Sequence, residues 1–312
     1  MHAETQNFSK SMKTKDCFVV TALLLAAVLT LPSCRNVKQT SHNATSTAAL
    51  LPAALLPADT LRTDRITCQN VDKDSLYSCS ISVDYPSDAD SLSLAVRRYV
   101  NRQLANIYLP YIQQEENNRK YVIYSGSLDD SQQMLQFYLK GNASVLREAA
   151  ESFSQTTGEK ITMCNEVRIG KTGETEKYVT YCTNVYTFLG GAHGFSYAFV
   201  ANISKASCRA LEQTVDAANE KALQPLLRKG VLTYLQQSGE TAATDKNLNG
   251  YLLLQGNNIP LPATPPYLAA DGVHFLYQEY EIAPYYLGMV GFTVPYRDIM
   301  PYLTPEAKAL AE

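Results

Sequence analysis

Tryptophan is absent from this chain, and only four of its 312 residues are histidine. Charge is scarce as well: charged residues make up 18%, with 27 basic against 30 acidic, a net charge of −3. That balance supplies no basic patch for a phosphate backbone, so nucleic acid is not an expected partner. There is no glycine-rich phosphate loop, no H-E-x-x-H, no EF-hand loop and no C-x-x-C pair. Their absence removes the usual sequence signatures of nucleotide, zinc-protease, calcium and dithiol chemistry. A hydrophobic share of 46% excludes a disordered chain, and the length is enough for a sizeable core.

What is present begins with an address. Residues 17–31 carry no charge and follow Lys10, Lys13 and Lys15. The run is too short for the roughly 20 residues that span a bilayer, and it suits the apolar region of a secretory signal, with Met12 a compact start for it. Leu31-Pro-Ser33-Cys34 follows and resembles a bacterial lipobox, which makes Cys34 the expected lipidated residue of a mature chain beginning there. The expected organisation is a signal peptide over 1–33 and a Ser-, Thr-, Ala- and Pro-rich tether over 34–63, with a random-coil reach on the order of 30 Å. Two α+β domains follow, over 64–158 and 159–312. Lipid is the expected membrane attachment, on the outer membrane facing the periplasm. No later run approaches the length of a membrane span.

Hydrophobic spacing predicts helices over 89–109, 130–155 (broken near Gly141-Asn142), 215–237 and 296–302. It predicts strands over 65–71, 76–85, 160–170, 176–189, 193–203, 272–283 and 288–295. The fold class is α+β, with antiparallel sheets, packed helices and two closely associated subdomains. Cys68 and Cys79 are placed symmetrically about one hairpin turn, and Cys164 and Cys182 about the KTGETE turn. Two cross-strand disulfides are expected from that symmetry, Cys68–Cys79 and Cys164–Cys182, with Cys208 left free.

Candidates for chemistry are few. Gly194-Phe-Ser196-Tyr-Ala198 approaches a nucleophile elbow, but Ser196 falls in an alternating strand rather than a strand–turn–helix corner. His193 and His274 with Glu279 or Glu281 could contribute to a zinc set, yet His193 shares a face with aromatic residues and His274 and Glu281 fall on opposite faces of a regular strand. No metal or cofactor is expected. Glu279 and Glu281 share a strand face in this reading, a spacing compatible with acid–base work. Tyr277, Tyr280, Tyr285, Tyr286 and Tyr296 crowd the last two strands and suit either a core or a recognition surface.

Two stretches carry a resemblance. Thr187-Phe-Leu-Gly190-Gly191-Ala-His193-Gly194, followed by an aromatic strand, resembles the Gly-Gly-Ala-His-Gly hairpin of the RsiV-like domain. Phe275–Gly288, with Val294-Pro295-Tyr296 beyond it, resembles that domain's C-terminal signature, and residues 64–160 resemble the companion domain of PdaC-type peptidoglycan deacetylases. The resemblance implies an extracytoplasmic binding module for a lysozyme-like protein or a glycan such as peptidoglycan, rather than an enzyme. The lipobox replaces a membrane-spanning helix and no deacetylase domain is present, so neither sigma-factor signalling nor deacetylation carries over. The expected binding residues are His193, Tyr280, Glu281 and Tyr285, shaped by Gly190, Gly191, Gly194, Pro284 and Gly288. The alternatives are an enzyme acting on peptidoglycan or glycan fragments through Glu279/Glu281 or His193, and a structural envelope factor without a small ligand.

Overall fold

The computed structural model describes residues 60–74, 76–114 and 120–312. The expected export signal, Cys34 and nearly all of the tether lie outside them.

The first hairpin joins β1 (Thr63–Val71) to β2 (Tyr77–Pro86). Its turn is fixed by Asp72, whose carboxylate accepts the N–H groups of Asp74 and Leu76. Along β2 the inward positions Tyr77, Cys79, Ile81, Val83 and Tyr85 are buried, the period of two that a one-faced strand requires. The chain then enters α1 (Ser91–Asn106), capped by Asp90, which accepts from Ser93 N. The short α2 (Leu109–Ile112) leads on to α3 (Ser131–Thr157). Asp130 caps α3, and Gly158 ends it in the left-handed conformation at φ 73°.

At Gly141-Asn142 the helix continues, where the sequence predicts a break. A Cβ on Gly141 would collide with the ring and hydroxyl of Tyr108. The buried Asn142 accepts Leu109 N at 2.9 Å and donates to Asn165 Oδ1 at 3.0 Å. Both residues are there to bring α2 and the sheet close, and tertiary packing overrides their weak helix propensity.

After α3 the chain returns as β3 (Met163–Glu174), β4 (Tyr178–Phe188) and β5 (Phe195–Ser204). The sheet order is β1-β2-β3-β4-β5, antiparallel except that β3 lies parallel to β2. That pairing carries the first sheet across residues 158/159, and its core runs from Leu61 to Ile203. A second core gathers Tyr178 and residues from Leu211 to Ala307. It contains α4 (Glu220–Gln237), packed on a three-stranded antiparallel sheet of β6 (Tyr267–Leu268), β7 (Gly272–Tyr277) and β8 (Val290–Pro295). The chain closes with α5 (Tyr296–Ile299) and α6 (Pro305–Ala311), the latter outside the predicted helices. The class is α+β. Among the described residues no helix is long and apolar enough to cross a membrane.

The expected disulfides are corrected: Cys68, Cys79, Cys164, Cys182 and Cys208 are free thiols. Register is the reason. Both hairpins fold about a point later in the chain than the cysteine symmetry implies, so Cys68 faces Ile81 and Cys79 faces Asn70. Likewise Cys164 faces Phe188 and Cys182 faces Gly170, with a register shift between Lys171 and Gly173. Neither pair occupies opposed positions.

Candidate functional site

One strand organises the site. β5 pairs with β4 along one edge, and the main-chain groups on its other edge need partners. The turn after β7 supplies them from side chains. Gln278 Nε2 donates to Ala198 O at 2.8 Å, and its Oε1 accepts from Ala198 N at 3.0 Å. Glu279 Oε2 accepts from Ser196 N at 3.1 Å. Further along, the buried Asn202 accepts from Leu268 N at 2.7 Å and donates to Leu268 O at 3.0 Å. Side-chain amides thus join the two sheets where no strand ladder does.

This stitching brings two loops together. Before β5, Gly190 turns at φ 89° over Ile161, Met163 and Phe153, a conformation a side chain would strain. Gly194 lies against the Tyr186 ring so closely that a Cβ would clash. Between them His193 is half-buried, its Nδ1 3.0 Å from Gly194 O. From the other side, Tyr280 adopts a left-handed backbone at φ 66°. Pro284 leads into a tight 3₁₀ turn over Tyr285–Leu287, which ends at Gly288 with φ 66° and ψ −155°.

The result is an aromatic cluster. The rings of His193 and Tyr285 stack with centroids 3.8 Å apart and planes 19° from parallel. Tyr280 stacks alongside, 5.8 Å from Tyr285 and 6.2 Å from His193, and Phe195 lies 5.3 Å from His193 edge-on. The Tyr280 hydroxyl is 3.2 Å from His193 Nε2. Nδ1 donates to the Gly194 carbonyl, which can only accept, and Nε2 pairs with the Tyr280 hydroxyl. Phe195, Tyr186 and Tyr280 are exposed.

Three of the four expected binding residues therefore meet: His193, Tyr280 and Tyr285. Glu281 does not join them. Its carboxylate faces inward, accepting from Ala263 N at 2.6 Å and Gln278 N at 2.7 Å, and burial pushes its pKa up. The expectation that Glu279 and Glu281 share a strand face is also corrected. β7 ends at Tyr277, so both lie in a turn, one bonded toward β5 and the other toward the loop at Ala263. His274 stays within the second sheet, bonded to Thr293 Oγ1 at 3.0 Å, and burial lowers its pKa. Among the described residues no group of three or more His, Cys, Asp or Glu is placed to hold a metal ion.

Tyr186 and Gln278 are site residues that the sequence does not single out, and Phe195 stands out there only as part of an alternating strand. Its alternation from His193 to Ile203 was the available signal for Phe195. Nothing local marks Gln278, whose role is set by a strand 80 residues away in sequence.

The fold has solved counterparts. A structure of a DUF3298 family member from Bacteroides fragilis NCTC 9343 superposes with a TM-score of 0.56 at 18% identity, covering 81% of this chain and 97% of that one. A DUF3298 family protein from Pseudomonas aeruginosa PAO1 gives 0.54 at 15% identity, covering 80% and 97%. At such identities the likeness shows the fold alone. No curated protein matches the chain. Residues 213–297, which include the Gln278–Gly288 side of the aromatic cluster, match the family described as "Protein of unknown function (DUF3298)".

Proposed function

We propose that this chain is a lipid-anchored extracytoplasmic module that binds a cell-envelope glycan through the His193–Tyr285 face. One observation carries the reading: a stack of aromatic rings stands at the surface, held by two loops whose backbones are shaped for that purpose. Contiguous apolar surface is unfavourable in water and marks interaction sites on folded proteins. Tyrosine offers rigid, flat contact area with a hydrogen-bonding tip, suited to the apolar faces and hydroxyls of a sugar. The lipobox at Cys34 would hold the module at the outer membrane, facing the periplasm and within reach of peptidoglycan. Both ring nitrogens of His193 are taken by Gly194 and Tyr280, so a role as general base has no support from this geometry.

Co-sedimentation of the full chain with purified peptidoglycan tests the reading. Wild-type protein is expected in the pellet and Tyr285→Ala in the supernatant, with unchanged circular dichroism. Equal pelleting of the two would remove the aromatic face from the function. A second reading, a lysozyme-like protein as ligand, is favoured by the fact that both RsiV-like stretches contribute rings to this face. Capture by immobilised lysozyme that is lost in His193→Ala and Tyr285→Ala would support it over the glycan.

A further inference from the structure

Glu279 stands out beside the aromatic cluster. Its Oε2 accepts the Ser196 N–H, and no Lys or Arg forms an ion pair with it among the described residues. Ser196 is directly opposite Tyr186 in the β4–β5 ladder, and Tyr186 in turn lies on Gly194, next to His193. The carboxylate is therefore set among tyrosines. Burial and then Glu279 raise the pKa values of Tyr197 and Tyr285, which places both hydroxyls within its field. A carboxylate with no ion-pair partner among the described residues, set beside an aromatic surface, is the complement of an organic cation. The ring faces attract a cation through their quadrupoles, and the carboxylate completes a charge-assisted hydrogen bond.

We infer that the face is selective for amino sugars with a free ammonium group, Glu279 pairing with the ammonium while the His193–Tyr285–Tyr280 rings take the sugar's apolar face. This rests on the glycan reading above and adds the charge state of the ligand to it. An N-acetylated sugar presents a neutral amide in the same place, which cannot compensate Glu279. The net charge of the chain, −3, favours the approach of a cationic oligomer further.

The test is titration calorimetry of the full chain with glucosamine oligomers and with N-acetylglucosamine oligomers of equal length. Glucosamine oligomers are expected to bind tighter by roughly tenfold or more, as charged hydrogen bonds at a surface allow, and to weaken as salt rises. Glu279→Gln keeps an acceptor for Ser196 N, so the fold is retained while the preference disappears. Equal affinity for the two oligomers, no binding of either, or a preference that survives in Glu279→Gln each overturns the inference. Peptidoglycan pelleting that still depends on Tyr285 in any of those cases leaves the glycan reading standing. Loss of that dependence is the separate failure of the reading itself.

Discussion

The side-chain amide of Gln278 pairs with the main chain of Ala198 as a neighbouring strand would, one bond in each direction at 2.8 and 3.0 Å. It seals part of the β5 edge and at the same time fixes the turn that carries Glu279 and Tyr280. Structure and candidate site share this one contact.

Gln278→Ala removes both bonds and leaves the amide and carbonyl of the buried Ala198 without those partners. A loss of about 1–3 kcal/mol is expected, read as a lower urea midpoint with an unchanged slope. Weaker ligand binding should accompany it, since the turn loses its anchor. A stability within error of wild type would show that solvent replaces the amide at no cost.

Asn202 is buried and bonds to Leu268 N, Leu268 O and Thr180 Oγ1. Asn202→Ala strands several buried polar groups and is expected to destabilise by about 3 kcal/mol. Asn202→Asp keeps the acceptor but buries a charge, so its defect should ease on acidification. Chemical denaturation of both variants at neutral and acidic pH checks the pair.

Acid sensitivity should concentrate at Glu174. Burial alone would raise its pKa, but Lys171, Lys205 and the Leu61 N–H more than offset it, and the net shift is downward. Lys171 also donates to Leu61 O, so the cluster ties Leu61 to β3. A carboxyl group with a folded pKa below its unfolded one stabilises the fold fully above the ordinary glutamate range. That contribution fades as pH falls through the folded value. The stability gap between wild type and Glu174→Gln should therefore be largest at neutral pH and shrink through the acid range. A gap that stays constant with pH would rule this out.

Tyr280 holds a left-handed backbone that costs a non-glycine residue about 1–2 kcal/mol. Strain of this kind, retained at a surface, is what a functional position tolerates. Tyr280→Gly should leave the melting temperature unchanged or raised, while ligand affinity falls through loss of the ring. A lower melting temperature would mean that the His193 hydrogen bond outweighs the strain.

Much of the architecture is legible in local pattern. A 3.6-period stripe within 89–109 announces α1, and alternation from His193 to Ile203 announces β5, because burial on one face imposes those periods wherever the core lies. Gly141-Asn142 misleads for a physical reason: poor helix formers are also the residues that permit close packing and buried amide bonds. The cysteine pairs mislead because symmetry about a turn assumes where the turn folds. Asp72 sets the first turn, and the second closes where Thr175 N donates to Tyr178 O, so both hairpins fold later in the chain than the cysteine midpoints.

Scarcity marked this sequence from the start: no tryptophan, few histidines, little charge. By itself it determined most of the helices and strands, the α+β class and the residues His193, Tyr280 and Tyr285 as a set worth watching. Which acidic side chain faces the rings was decided only by tertiary structure. β7 stops at Tyr277, so Glu279 and Glu281 leave a turn in different directions, one toward Ser196 and one toward Ala263. Local periodicity specifies faces of regular elements, whereas the direction of a turn residue depends on the distant main chain that it satisfies.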